Sequence, residues 1–146
     1  FKTKEELIDT LYRRVKSEAA GAMGRGLKSE KGAKAKLRRL GRNAVSWGLE
    51  NPAKLKFMEQ FAHSPFVSTS AHEEGMSHFA FLEDLIRQGI RDGEIRDINP
   101  SGALCLMASA LSGLIAHALS TNDPAEREMT IENGLDFIWY GLKGDE

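Results

Sequence analysis

The chain has 146 residues, of which 41% are hydrophobic and 28% charged, and its formal net charge is -1. This length and composition suit one globular domain whose core needs no disulfide. The single cysteine, Cys105, excludes a disulfide framework and a cysteine metal cluster, and it favours a reducing compartment. The first residues lack the apolar stretch of a secretory signal, and the apolar run 103–119 contains polar residues, so we expect a cytoplasmic protein without a membrane span.

Charge is distributed unevenly along the chain. Residues 1–42 contain 13 Lys/Arg against 5 Asp/Glu, a net +8, and residues 43–146 contain 7 against 16, a net -9. Such polarity would direct one end of the molecule toward a polyanion and keep the other end away from it. Solvated helix faces produce the same pattern, so charge alone leaves the partner open.

The first helix is predicted from about residue 4 to residue 22. Thr3 and Glu6 form a capping box at its start, in which each side chain bonds a free backbone amide. Lys2 and Lys4 flank the same amides, and the helix dipole favours an anion there. Lys2, Thr3 and Lys4 are therefore candidates for contact with a phosphate, and a helix that is merely capped is the alternative.

A glycine-rich segment follows this helix and contains Gly21, Gly24, Gly26 and Gly32. The order of these glycines is the reverse of a dinucleotide-binding fingerprint, and they follow no strand. Glycine is the usual helix terminator, so we predict a flexible connection to the second helix.

Further helix starts are marked by capping residues. Asn51, Asn99 and Asp123 each precede a proline, the arrangement of an N-cap followed by proline at the first helical position, and Ser70 with Glu73 forms another capping box. No segment alternates with period two, so we predict an all-α bundle of six helices. After the first, they are expected at about 33–49, 52–62, 71–92, 100–120 and 124–142, with a turn over 63–69 around Pro65.

The helix predicted at 100–120 is apolar nearly all round, so it must be covered nearly all round. A second copy of the chain would cover it, and its small residues would allow close approach. Burial inside the monomer is the alternative. The candidate interface residues on the last two helices are Ala108, Ser112, Ile115, Ala116, Leu135, Ile138 and Trp139.

Motifs of enzymes are absent from the sequence, which has no G-x-S-x-G, P-loop or H-E-x-x-H pattern. His72 and His78 are six positions apart, so on a helix they point to different faces and cannot share a metal ion. Cys105 and His117 are too distant to act as nucleophile and base, and Cys105 is interpreted as a small core or interface residue. We therefore expect no catalytic residue, no cofactor and no metal site.

The opening Phe1-Lys2-Thr3-Lys4-Glu5-Glu6-Leu7-Ile8 resembles the point in TetR-family transcriptional regulators where the recognition helix ends and the connecting helix begins. The resemblance continues in Glu50-Asn51-Pro52, in Phe-Ala-His-Ser-Pro-Phe at 61–66 and in Gly-Glu-Ile-Arg-Asp-Ile-Asn-Pro at 93–100. These segments match the family's regulatory domain in order and rough spacing. The resemblance therefore spans most of the chain and stops before the family's helix-turn-helix.

The resemblance implies that residues 1–146 form one ligand-binding and dimerisation domain, with residues 1–3 a remnant of the DNA-binding domain and 4–22 the connecting helix. In the family the aromatic at the Phe1 position closes the helix-turn-helix, and the lysine at the Lys4 position contacts a DNA phosphate. The last two helices form a four-helix bundle with the same helices of a second copy. The expected partners are thus a second copy, a small-molecule effector, and operator DNA through the missing domain alone.

An effector site is expected in the apolar interior if the bundle follows the family arrangement. Aromatic and methionine side chains suit a cavity for a flat or greasy molecule, although core packing uses the same residues. The candidate ligand-binding residues are Tyr12, Trp47, Met58, Phe61, Phe66, Phe79, Leu82, Met107 and Leu111. The sequence therefore predicts the effector-controlled domain of a TetR-like repressor; a free-standing helical interaction module or small enzyme is the alternative.

Overall fold

Seven α-helices follow one another in the computed structural model, which describes residues 2–145. Phe1, expected to close the helix-turn-helix, lies outside the described residues. A short 3-10 helix, Leu27–Ser29, lies between the first two α-helices, and the expectation of an all-α fold is confirmed. The helices are α1 (Lys4–Met23), α2 (Ala33–Glu50), α3 (Pro52–Gln60), α4 (Thr69–Ser77), α5 (Ala80–Arg91), α6 (Pro100–Leu119) and α7 (Pro124–Leu142).

The predicted count of six helices is wrong because the long helix expected over 71–92 is two helices. The backbone leaves the helical region at Phe79, where φ is -102° and ψ is 6°. Helix α4 buries Ala71 and Gly75 against α1, whereas α5 buries Ile86 and Gly89 toward α2 and α6. One straight helix could not present apolar faces to partners that lie in these different directions, so the chain bends between them.

The predicted caps are correct at three helix starts. The side chains of Thr3, Asn99 and Asp123 each accept a hydrogen bond from a backbone N–H in the first turn. Two caps are corrected. Asn51 makes no side-chain cap for α3; its Nδ2 instead donates to the Trp47 carbonyl at 3.0 Å and closes α2.

The second corrected cap is that of α4. Ser68 caps this helix, accepting the Ala71 N–H at 3.1 Å, and Ser70 lies inside the first turn. The helix therefore begins earlier than the capping box of Ser70 and Glu73 predicted.

Helix α2 occupies the centre of the bundle and packs against α1, α6 and α7. Two glycines let it approach its neighbours closely. A Cβ atom added to Gly41 would lie 2.5 Å from a Leu135 methyl group, and one added to Gly48 would lie 2.7 Å from Ile115 Cδ1. Apolar residues of α2, α5, α6 and α7 fill the interior around this contact.

The glycine-rich segment, predicted as a flexible connection, is a defined turn that begins at Gly24 and is joined to α2 by hydrogen bonds, whereas Gly21 lies inside α1. Gly26 has φ +77°, a left-handed conformation that favours glycine, and Arg39 lies directly against it. The Asn43 side chain donates to the carbonyls of Met23 at 3.0 Å and Arg25 at 2.8 Å. The turn therefore holds the end of α1 in a fixed position beside α2.

Candidate functional site

The first half of α1 packs against α4 through a buried tyrosine. Tyr12 is 1% exposed and lies with Val67 and Ala71 in one cluster. Its ring meets the His72 ring edge to face, with 5.1 Å between centroids, and the Lys16 ammonium lies 5.7 Å from the tyrosine centroid. Burial raises the pKa of Tyr12 and lowers that of Lys16, because both charged forms lose solvent at this junction.

Polar contacts fix the same junction. The backbone N–H of Ser68 donates to Asp9 Oδ1 at 2.8 Å, and hydrogen bonding from Ser68 holds the pKa of Asp9 below its usual value. Arg13 forms an ion pair with Glu74 and donates to Ser70 Oγ at 3.3 Å. Apolar and polar contacts together join α1 to the start of α4.

The three candidates for phosphate contact lie exposed at the start of α1. Thr3 Oγ1 accepts the Glu6 N–H at 3.1 Å, and the Lys2 N–H donates to Glu6 Oε2 at 2.8 Å. The side chains of Lys2 and Lys4 are exposed. Contact of this end with a phosphate stays a prediction.

The nine candidate ligand-binding residues do not surround one cavity. Tyr12 and Phe61 belong to the α1–α4 junction, whereas Phe66 is 61% exposed. The other six are divided among three clusters: Trp47, Met58 and Phe79 between α1, α2 and α3; Leu82 and Met107 between α5 and α6; Leu111 between α2, α6 and α7. These candidates therefore pack in separate clusters of the core, and an effector site among them stays a prediction.

The enclosed cavity between α2, α6 and α7 is small. It measures about 10 Å³ and is lined by side chains that include Leu37, Leu40, Met107 and Leu111. A cavity needs at least about 10 to 15 Å³ to hold one water molecule. Two candidate ligand residues, Met107 and Leu111, thus face a space with room for a water molecule at most.

An open groove lies instead between the second half of α1, the 3-10 helix and α5. Its volume is about 920 Å³. Five basic residues line it, and we call it the basic groove: Arg25, Lys28, Lys36, Arg87 and Arg91. Its apolar lining includes Leu27, Phe81 and Leu85. The sequence showed Arg25, Lys28 and Lys36 only as part of the basic residues 1–42, and the fold alone brings Arg87 and Arg91 of α5 beside them.

The candidate dimer-interface residues are found in three environments. Ala108 and Ala116 are exposed on α6, and Ser112 and Ile138 are half-buried. Ile115, Leu135 and Trp139 are buried in the core of the monomer, so their expected place at an interface is wrong. Their apolar side chains face α2, whose close approach at Gly41 and Gly48 the sequence did not reveal.

The sides of α6 and α7 that face away from the core expose large apolar side chains. Leu106 on α6 is 67% exposed, and Phe137 on α7 is 76% exposed. Met129 and Tyr140 are also exposed on α7, and Cys105 is exposed beside Leu106, which corrects its interpretation as a core residue. We call Leu106, Met129, Phe137 and Tyr140 the apolar α6–α7 face. Helix α6 is also long and apolar enough to cross a membrane, but it packs here on α2, α5 and α7.

Solved structures of other proteins share this fold. The sequence matches no protein-family model. A candidate TetR family transcription regulator from Shewanella sp. PV-4 has a TM-score of 0.86 at 23% identity, over 99% of this chain and 78% of that chain. A TetR family transcription regulator from Marinobacter aquaeolei VT8 has a TM-score of 0.83 at 20% identity, over 99% and 75%. A protein of unknown function from Rhodococcus sp. RHA1 has 0.85 at 20% identity, over 98% and 76%. The chain therefore has the fold of TetR family transcription regulators.

Proposed function

We propose that this chain is the regulatory and dimerisation domain of a transcription regulator that responds to a small molecule. The observation that carries the proposal is the structural match over 98–99% of the chain, which includes two proteins described as TetR family transcription regulators. The segments that resemble the family in sequence lie in the matched region. Fold likeness alone does not define a function, and the apolar α6–α7 face and helix α1 give further support for the proposal.

The apolar α6–α7 face supports dimerisation. Soluble monomers rarely expose large contiguous apolar patches, and Leu106, Phe137 and Tyr140 lie on two helices that pack side by side. A second copy would cover this face with the same face by a two-fold axis, the commonest symmetry of soluble oligomers. The small exposed residues Ala108 and Ala116 would let the paired α6 helices approach each other.

Helix α1 is suited to transmit the effect of a bound small molecule to a DNA-binding segment. It is the connecting helix of the proposed regulator, and its first half is fixed to α4 by Asp9, Tyr12 and Arg13. A DNA-binding segment would precede Lys2, and Lys2 and Lys4 would lie near a DNA phosphate. An effector that alters the position of α1 would change the separation of two such segments in a dimer, and coupling of about 1–3 kcal/mol is sufficient.

Sedimentation equilibrium tests the dimer directly. The chain has a mass of 16.1 kDa, and we expect a species of twice that mass. Phe137→Asp should give a monomer, because it places a carboxylate within the paired apolar faces. Met76→Asp is the matched control: Met76 is 62% exposed on α4, and its replacement should leave the dimer intact. A monomeric wild-type chain would contradict this part of the proposal and favour a free-standing interaction module.

Selection from random DNA tests the regulatory part. The full gene product should select an inverted repeat whose half-sites lie about 34–36 Å apart, or a multiple of that spacing. The present chain alone should select no sequence. Failure of the full product to select any sequence, or specific selection by the present chain, would refute the assigned division of labour.

A further inference from the structure

We propose that the basic groove binds an amphipathic anion, a small molecule with an anionic head and a flat or extended apolar body. The inference deepens the proposed function by naming the chemistry of the effector, and its regulatory meaning rests on that function. The groove volume of about 920 Å³ lies within the roughly 300–1,000 Å³ of small-molecule sites.

Within residues 2–145, three positive charges without a protein partner line this groove. Among the described residues, the side chains of Arg25, Lys28 and Lys36 have no hydrogen bond or ion pair. Arg87 pairs with Glu83 at 2.9 Å, and Arg91 donates to Gln88 Oε1 at 2.7 Å. Asp84 is the one carboxylate in the lining. An anion in the groove would therefore be attracted by several cations. Three of these cations could bind it without breaking an existing contact with the protein.

The three arginines of α2 are already paired. Arg38 and Arg42 of α2 contact carboxylates of α7, and Arg39 lies 3.2 Å from Glu30. The excess positive charge of residues 1–42 is thus partly neutralised across the bundle. Arg25, Lys28 and Lys36 keep their charge at the groove, where the fold brings Arg87 and Arg91 of α5 beside them.

An apolar lining lies beside these cations. Leu27, Phe81 and Leu85 are half-buried, so part of each side chain is accessible in the groove. Gly21 on α1 leaves its backbone bare: a Cβ atom added there would meet nothing within 4 Å. The aromatic ring of Phe81 and the bare helix can contact the body of a ligand while the arginines and lysines bind its head. An inorganic anion would make only the contacts with the arginines and lysines.

The position of the groove distinguishes it from the DNA-proximal end of α1. Gly21 lies seventeen positions after Lys4 on one helix, which corresponds to about 25 Å at roughly 1.5 Å per residue. The groove contacts both α1 and α5. A ligand between these helices would act on the connecting helix at the end remote from the proposed DNA-binding segment, so a small effector fits this site better than a nucleic acid does.

Calorimetric titration with four probes tests the chemistry. The probes are 2-naphthyl phosphate, 2-naphthoate, neutral 2-naphthol and inorganic phosphate. We expect at least one of the two naphthyl anions to bind at least tenfold more tightly than both naphthol and inorganic phosphate, and their relative affinities would show whether the head is a phosphate or a carboxylate. Equal affinity for naphthol and the naphthyl anions would overturn the inference.

Variants locate the binding site. Lys28→Glu should weaken the anions at least tenfold, whereas Lys34→Glu, an exposed lysine on α2 outside the groove lining, should leave the affinity within twofold. Gly21→Leu should abolish binding because its side chain would enter the groove without meeting protein atoms near its Cβ. Full affinity in both Lys28→Glu and Gly21→Leu would overturn the site, as would displacement of the probe by random-sequence duplex DNA.

The inference and the proposed function fail separately. A chain that forms the dimer and binds neither naphthyl anion overturns the inference and leaves the proposed function standing. A monomeric chain that binds the anions in the groove supports the inference as a binding site and contradicts the regulatory dimer.

Discussion

Replacement of Tyr12 by alanine tests whether packing holds α1 to α4. The side chain is 1% exposed and contacts the α4 side of the junction, where Gly75 leaves room for its ring. Truncation of a buried aromatic residue to alanine destabilises by about 3–5 kcal/mol. At about 2–4 °C per kcal/mol for a chain near this size, the melting temperature should fall by roughly 6–20 °C.

Gly75→Ala tests the same packing, because its effect on stability should change sign when the Tyr12 ring is removed. A Cβ atom added to Gly75 would lie 3.1 Å from Tyr12 Cε1 and 3.1 Å from Lys16 Cγ. In the wild-type background this crowding should outweigh the roughly 0.8–1.0 kcal/mol by which alanine exceeds glycine in a helix, so Gly75→Ala should destabilise. In the Tyr12→Ala background the ring is absent and the flexible Lys16 side chain can move into the space that it leaves, so the same methyl group should stabilise.

The assay is urea denaturation of the wild type, both single variants and the double variant, with hydrogen exchange over residues 69–77 as a local measurement. Gly21→Ala on α1 is the control, because its Cβ has no neighbour within 4 Å and helix propensity alone should stabilise it. The reasoning is refuted if the two substitutions are additive within about 0.5 kcal/mol. It is equally refuted if Tyr12→Ala lowers the free energy of unfolding by less than about 1 kcal/mol.

Two other predictions concern one carboxylate and one close helix contact. Hydrogen bonding from Ser68 lowers the folded-state pKa of Asp9, so its stabilising effect is present above the unfolded pKa and is lost as the pH falls through the folded pKa. The melting temperature of Asp9→Ala should therefore lie below that of the wild type at pH 7, with a smaller difference near pH 3; an unchanged difference would show that the Asp9 charge contributes nothing. Gly48→Ala should destabilise by about 1–3 kcal/mol, because its Cβ would lie 2.7 Å from Ile115 Cδ1. The loss in urea denaturation should be smaller in an Ile115→Val background, which lacks that methyl group, and an equal loss would rule out this clash as the cause.

Local signals in the sequence were sufficient for most helix boundaries. Thr3, Asn99 and Asp123 cap helices because their side chains bond amides two or three residues away, an interaction that a short segment specifies by itself. The Asn51-Pro52 pair also marks a helix start correctly, but Asn51 bonds backward to Trp47. The position of a boundary was therefore more predictable than the hydrogen bond that forms it.

Features that depend on distant contacts were not predictable from local pattern. The bend at Phe79 arises because α4 and α5 pack on different helices, and periodicity within 71–92 does not name those partners. Ile115, Leu135 and Trp139 were assigned to a dimer interface because an apolar helix shows which residues need cover without showing what covers them. The candidate ligand residues lie in separate clusters for the same reason: aromatic side chains occur in cores and in pockets, and the sequence pattern does not distinguish the two.

The small cavity between α2, α6 and α7 has a consequence for the response to hydrostatic pressure. Unfolding lowers the volume of a protein by about 20–100 mL/mol, in proportion to the voids that it eliminates. A void of about 10 Å³ among Leu37, Met107 and their neighbours contributes little to that change. An effector that had to open this part of the interior would increase the void, and its affinity would depend on pressure. Binding in the open basic groove creates no such void, so this source of pressure dependence should be absent there.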